Sequence, residues 1–376
     1  MKSQSVFRRL GNVLAAPLIA FIIALIASAL ALKVGGYSPA VAFKAMFNQV
    51  TTVESAAIIV NKAVPLFLSG LAVAIGFRMG LFNIGVEGQL QIAAAMAGVV
   101  GAAVHLPTPL HILLISLTAI TVGALYAAIP GILKVTRNVN EVISTIMLNA
   151  IAISLIAWVS KTGLFITTAF RQTRPLPKSA WFPKLNTPLS WIGIHLPAGT
   201  QLFGFTIIAI FIGIGFHIML TKSRFGFDLK ASGLNPVAAR FSGVNSKKMI
   251  FTTMVISGAM AGAVGLPALL SEQHSYKIGE FPAGFGFGGI AVALLGRNST
   301  PGIAFSALLF GLIERASLAL QDKKIPREIG VIMQGIIILS AVVAYEVVKR
   351  RNEAAAIRDA SEQAAKAHAQ VTEATA

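Results

Sequence analysis

The sequence predicts an all-α polytopic membrane protein of about ten transmembrane helices, and three observations predict it. Hydrophobic residues make up 55% of the chain and charged residues only 12%, about half the roughly 25% charged residues of a soluble domain. Mean hydropathy is +0.77. Several apolar runs approach or exceed the roughly 20 residues that cross a bilayer as a helix, without the period-two alternation of a transmembrane barrel. The formal net charge is +17, but the basic residues gather between apolar runs. That is the positive-inside pattern rather than a nucleic-acid surface. The chain has no cysteine, which excludes disulfides, thiolate metal sites and cysteine nucleophiles. Its six histidines show no metal-ligand spacing.

Lys2, Arg8 and Arg9 precede the first apolar run, 13–32. That run is too long for a cleaved signal core, so residues 1–12 are read as cytoplasmic. Ser38-Pro39 then opens a short amphipathic helix on the outer surface, with Phe43, Met46, Phe47 and Val50 on one face. The second span covers 56–77, and Arg78 follows on the inner side. The third covers 90–104 and ends at a proline-rich turn, 105–109. The fourth covers 110–133, followed by Lys134 and Arg137. Asn140 caps the fifth, 141–159. Residues 161–200 form the longest outer loop, rich in proline, aromatic and basic residues. It either lies on the membrane surface or docks an extracytoplasmic partner. The sixth span covers 201–220, and the basic loop 221–248 is cytoplasmic. The seventh covers 249–270, where Gly258 and Gly262 mark a close helix-packing face. Residues 281–289 are glycine-rich and 290–295 are too short to cross alone, so the eighth span is Gly-interrupted or re-entrant. The ninth covers 302–320 and carries Glu314 and Arg315, which pair with each other or with neighbours. The tenth, 329–348, closes a membrane domain of 13–348, and 349–376 is a cytoplasmic tail.

Two stretches concentrate polar side chains at membrane depth. Residues 80–90 bring Asn83, Glu87 and Gln89 between two apolar runs. A carboxylate there faces a protein interior or an aqueous pathway, unless it sits at the lipid–water boundary and only caps a helix start. Glu141, Thr145 and Asn149 share one face of the fifth span. Asn149 lies in mid-membrane and either lines a pathway or bonds a neighbouring helix. Asn83, Glu87, Gln89, Thr145 and Asn149 are therefore the candidate pathway residues. Their alternative role is as buried clamps on a re-entrant segment. In the cytoplasmic loop, Asn235 is a good N-cap, Pro236 a good first position and Gly243 a good stop. They delimit a helix of about two turns with an apolar knob, Val237 and Phe241, suited to a partner's groove.

The glycine-rich stretches 82–88 and 281–289 enter the third and eighth spans from opposite sides. Glu141 to Met147 and Glu328 to Met333 begin the fifth and tenth in the same way. The chain thus reads as two five-helix halves in inverted orientation, with the pathway at their interface. Residues 296–302 only superficially resemble a phosphate loop, lacking its lysine. Energy must come from a partner ATPase or an ion gradient. The scarcity of ionisable groups at depth disfavours the gradient, and the capped cytoplasmic helix favours the ATPase.

Four motifs carry a resemblance. Gly80-Leu-Phe-Asn-Ile-Gly-Val-Glu-Gly-Gln89, Asn140-Glu-Val-Ile-Ser-Thr-Ile-Met-Leu-Asn149, Ser223-Arg-Phe-Gly226 with Ala231-Ser-Gly-Leu-Asn-Pro-Val-Ala-Ala-Arg-Phe-Ser-Gly243, and Gly288-Gly-Ile-Ala-Val-Ala-Leu-Leu-Gly-Arg297 resemble the permease subunits of ABC importers for ribose, nucleosides and branched-chain amino acids. The nucleoside, guanosine-type branch looks most similar, over residues 60–345. The resemblance implies a ten-helix, non-catalytic subunit of a bacterial cytoplasmic membrane, with no cofactor and no metal. It implies a second permease, identical or not, two cytoplasmic ATP-binding subunits and an extracytoplasmic substrate-binding lipoprotein. It also implies that Asn235, Pro236, Val237, Ala238, Ala239, Arg240, Phe241 and Gly243 couple to the ATPase. Ala231-Ser232 departs from the Ala-Val or Ala-Ile usual there. The expected solute is a nucleoside. A ribose-type sugar is the alternative, and an ion-coupled secondary transporter the more distant one.

Overall fold

Long apolar helices set the architecture of the computed structural model, which describes residues 19, 22–341, 343, 344, 347, 350 and 361. The expected cytoplasmic N-terminus, 1–12, and nearly all of the tail, 349–376, lie outside the described residues. The chain opens with α1 (Ile22–Val34) and α2 (Pro39–Val50), which meet at 120°. Then come α3 (Val53–Arg78), α4 (Val86–Ala103), α5 (Thr108–Arg137) and α6 (Glu141–Val159). The 161–200 loop holds β1 (Phe165–Thr167), β2 (Arg171–Thr173) and α7 (Asn186–Trp191). After it run α8 (Phe205–Lys222), α9 (Arg224–Leu234), α10 (Pro236–Phe241) and α11 (Ser246–Val264). The last are α12 (Phe285–Leu295), α13 (Thr300–Gln321) and α14 (Glu328–Ala341).

The number of full spans differs from the expected ten. Among the described residues seven helices are long and apolar enough to cross a membrane, or eight when the bent α1–α2 pair is one span. Of the other two expected spans, the eighth corresponds to the short helix α12, and the end of the tenth, beyond 341, lies largely outside the described residues. At 1.5 Å per residue, the 11 residues of α12 reach about 16 Å, half of a roughly 30 Å hydrocarbon core. A span broken by glycine is thus built as a half-helix, and the rest of its path is irregular chain.

The described residues up to 45 with those from 317 onward form one unit, and 46–316 form another. In the first, Gly36 (φ +80°) turns the chain out of α1, and the Tyr37 N–H donates to the Leu32 carbonyl at 2.9 Å. In the second, α4 runs among α3, α5, α6 and α11, and Leu68, Leu90, Ala93, Ala97, Leu269 and Leu270 fill its core. Small residues bring α5 and α11 into backbone contact. A side chain on Gly123, Gly258 or Gly262 would run into the facing main chain, which is how helices without a hydrophobic driving force between them gain close dispersion contact. On the opposite side α6 leaves Ile146, Met147, Ile153 and Trp158 exposed, an apolar face as a bilayer requires.

The 161–200 loop carries regular structure. Strands β1 and β2 pair antiparallel, with Phe165 opposite Thr173, a ribbon that the all-α expectation did not contain. Thr173 binds Tyr276 twice: its N–H donates to the Tyr276 carbonyl (2.9 Å), and its hydroxyl accepts from the Tyr276 N–H (3.0 Å). The loop is thereby pinned to the segment leading into α12.

Candidate functional site at the meeting of two helix starts

Helices α4 and α12 begin head to head. Gly80 (φ +74°) turns the chain out of α3, residues 81–85 are irregular, and α4 starts at Val86. That is four residues earlier than the sequence led us to expect, so Glu87 and Gln89 stand in its first turn. Helix α12 starts at Phe285 after Gly284 (φ +86°). It runs beside α3 in the same direction, with Gly289 against Ser69, Val292 against Gly70 and Asn298 against Arg78. Helix α4 runs the other way, so that Gly98 reaches Thr173 and Gly101 reaches Leu176 in the outer loop. Ser69 is nine residues before the end of α3, or roughly 13 Å along its axis. The junction therefore lies within the membrane, where irregular backbone persists only if protein satisfies it.

Glu87 is the link between the two starts. Its carboxylate accepts from the N–H of Gly284 (3.0 Å), the N–H of Gly286 (2.8 Å) and Nε2 of Gln91 (3.3 Å). The first N–H groups of a helix lack intrahelical partners, and they carry the positive end of its dipole. One carboxylate thus caps α12 while standing in the first turn of α4, favourable for both. Gly286 is required here, because a Cβ on it would lie 2.6 Å from the Glu87 nitrogen.

A second knot joins three helices. Asn83 and Gln89 are each 1% exposed. The Asn83 Nδ2 donates to Gln89 Oε1 (3.0 Å) and Ser257 Oγ (2.8 Å), and Gln89 Nε2 donates back to Asn83 Oδ1 (3.1 Å). The Ser257 hydroxyl donates in turn to the Ala72 carbonyl of α3. Asn149 of α6 donates to the Ile84 carbonyl (3.0 Å) and accepts from the Gly88 N–H (2.9 Å). Four of the five candidate residues thus hold the α4 start. Thr145 does so only by contact. Its hydroxyl returns to the Glu141 carbonyl of its own helix (2.6 Å), and its Cβ packs near Gly85. Glu141 pairs with Lys134 at 2.8 Å.

Four polar partners in this site were not singled out in the sequence. Ser69 donates to the Phe285 carbonyl (2.7 Å), and Tyr276 donates to Gln91 Oε1 (2.9 Å). Gln91 also donates to the Pro282 carbonyl (3.0 Å), and Ser257 completes the set. Gln91 stands at i+4 from Glu87, on one helix face, which was a readable signal. Ser69 and Ser257 each precede a glycine within an apolar run, a weaker one. Tyr276 carried none.

In the 221–248 loop the expected helix is α10. The Asn235 side chain accepts from the N–H groups of Val237 and Ala238 (3.0 Å each), Pro236 fills the first position, and Gly243 (φ +81°) ends the turn. Asn235, Pro236, Ala238, Arg240 and Gly243 are exposed. Val237 is 62% and Phe241 90% exposed, whereas Ala239 is 3% exposed and faces inward. Helix α9, capped by Ser223, adds exposed Phe227 and Leu234. Nearer the other end of α3, Glu314 pairs with Lys62 and Arg315 with Glu54 (3.2 Å), so both charges on α13 find partners on α3.

A family model described as "branched-chain amino acid transport system / permease component" matches residues 55–342. The chain belongs to this permease family. Curated relatives agree along most of their length. The guanosine ABC transporter permease protein NupP of Bacillus subtilis is 37% identical, over 90% of this permease and 96% of the relative. The nucleoside ABC transporter permease protein NupB of Lactococcus lactis is 31% identical, over 88% and 90%. A glucose ABC transporter permease protein of Haloferax volcanii is 30% identical, over 79% and 78%. The matched region contains the starts of α4 and α12 and the α9–α10 loop.

Proposed function

We propose that this permease is the membrane-spanning subunit of an ATP-driven importer of nucleosides in the bacterial cytoplasmic membrane. The observation that carries the ATP-driven part is α10. It is a helix of six residues, capped at both ends, whose Val237 and Phe241 are exposed in a loop rich in Lys and Arg. An apolar knob on a pre-formed helix fits a partner's groove, and the partner is an ATP-binding subunit. Two such subunits, a second permease chain and an extracytoplasmic binding lipoprotein complete the assembly, with both termini cytoplasmic. The permease performs no chemistry of its own. The 221–248 loop is its coupling region, and 161–200 faces the binding protein.

Asn83, Glu87, Gln89 and Asn149, with Thr145 behind them, form the gate. In the described conformation their polar groups are satisfied, Asn83 and Gln89 by each other and Glu87 and Asn149 mainly by the backbone of the two helix starts, which closes the junction of α4 and α12. Parting the two helix starts frees Glu87 and Gln91 to bond the hydroxyls or base of a passing solute. The nucleoside assignment is supported by the likeness to guanosine and nucleoside permeases, and the glucose permease relative supports a sugar as the second reading. The test is uptake by the assembled transporter in liposomes. Guanosine uptake that needs ATP and persists with an uncoupler is expected, with loss of the ATP-binding subunits on Phe241→Asp. Uptake of glucose or ribose but not guanosine selects the sugar. Uptake without ATP that collapses with the uncoupler overturns the reading.

A further inference from the structure

Two cytoplasmic parts of the fold converge on Arg78, the last residue of α3. Its guanidinium donates from Nε (3.0 Å) and Nη2 (2.8 Å) to one acceptor, the Asn298 carbonyl oxygen. Arg297 and Asn298 form the turn between α12 and α13, and both hold left-handed backbone, φ +52° and +53°. Two consecutive non-glycine residues in that region are uncommon and need an external hold. The main chain of Arg78 meets the other part. Gly233, two residues before the cap of α10, lies so close that a Cβ on it would collide with the Arg78 carbonyl and stand 3.0 Å from the Met79 Cα.

We infer that Arg78 is a positioning residue that links the α9–α10 docking element to the α12 half-helix. The inference rests on the permease reading above. Helix α12 is held at its start by Glu87 and at its end by Arg78, and it lies along α3 through Ser69 and Gly70 in between. A helix of 11 residues moves as a rod, so displacement of Gly233 reaches Asn298 through Arg78 and is delivered at Gly284, where the gate is. Positive charge alone does not do this. A lysine would satisfy the positive-inside preference but presents a point charge in place of a planar donor pair.

The experiment compares wild type, Arg78→Lys and Arg78→Gln, each purified with its ATP-binding subunits and reconstituted in liposomes. Subunit co-purification and ATP hydrolysis are expected to stay within about twofold of wild type. Guanosine taken up per ATP hydrolysed is expected to fall at least tenfold in both variants. Wild-type uptake per ATP in Arg78→Lys overturns the role of Arg78. A second measurement guards against misfolded variants. The chain has no cysteine, so Phe287→Cys, on the exposed side of α12 (60% exposed), accepts a single fluorophore. ATP is expected to shift its emission when residue 78 is Arg and to shift it several-fold less when it is Lys. Equal shifts overturn the inference. If wild-type uptake itself ignores ATP, the permease reading falls and this inference falls with it. That outcome shows in the unmutated protein and is therefore distinct.

Discussion

Glu87 shows how much one side chain decides. It accepts two hydrogen bonds across the junction and a third from Gln91 of its own helix, and bonds to a charged acceptor contribute about 1.5–3 kcal/mol each. Glu87→Gln turns one oxygen into an –NH2 that faces a backbone donor. It is expected to lower the thermal midpoint in detergent together with uptake, and Glu87→Ala to lower both further. Lost uptake at an unchanged midpoint would assign Glu87 to the solute alone. Gly286→Ala is expected to abolish folded protein, because the added carbon meets the backbone of Glu87, which cannot give way. His274, outside the spans, stacks on Trp181 with centroids 3.9 Å apart. Burial first, then the charge of Lys184, holds its pKa below the ordinary 6.5. A histidine whose folded pKa is depressed stabilises fully above the unfolded value. That contribution is lost as pH falls below about 6.5, because the unfolded chain then binds the proton more readily. Melting curves between pH 5 and 8 should therefore show wild type weakening in acid more steeply than His274→Gln.

At the scale of elements, α10 depends on its cap. Asn235→Ala removes two bonds from a helix of six residues at a cost of about 1 kcal/mol. Weaker retention of the ATP-binding subunits is expected, with Asn235→Asp restoring it; equal retention by all three would show that capping is not what presents the knob. This element was legible residue by residue because a cap, a proline and a stop glycine are all local signals. So were the bounds of α6, where Asn140 accepts from Val142 at 2.8 Å. The start of α4 was not. Gly85 and Gly88 suggested irregular chain, but Asn83 and Asn149 hold that backbone helical from 86 onward. The broken character of α12 was visible in its glycines, whereas its partner Glu87 stood almost two hundred residues away. Helix α9 and the β1–β2 ribbon escaped because their registers depend on Gly233 meeting Arg78 and on Thr173 meeting Tyr276.

For the whole molecule, α4 and α12 are two helix starts that approach from opposite directions and share one carboxylate. Length and hydropathy alone credit seven or eight full spans among the described residues, since a half-helix completed by irregular chain fails any test based on length. The saturated bonding at this junction has an electrical consequence. Cells store energy as a proton gradient across the membrane in which such a protein sits, and any standing file of water through it would short-circuit that store. Polar groups that bond one another recruit no such file. Asn83 with Gln89 and Ser257, and Glu87 with Gly284 and Gly286, are therefore expected to act as insulation as well as scaffold. Liposomes loaded with a pH dye and carrying the resting protein should hold a proton gradient as long as empty ones. Those carrying Asn83→Ala with Glu87→Ala should discharge it several-fold faster, even with no solute and no ATP present.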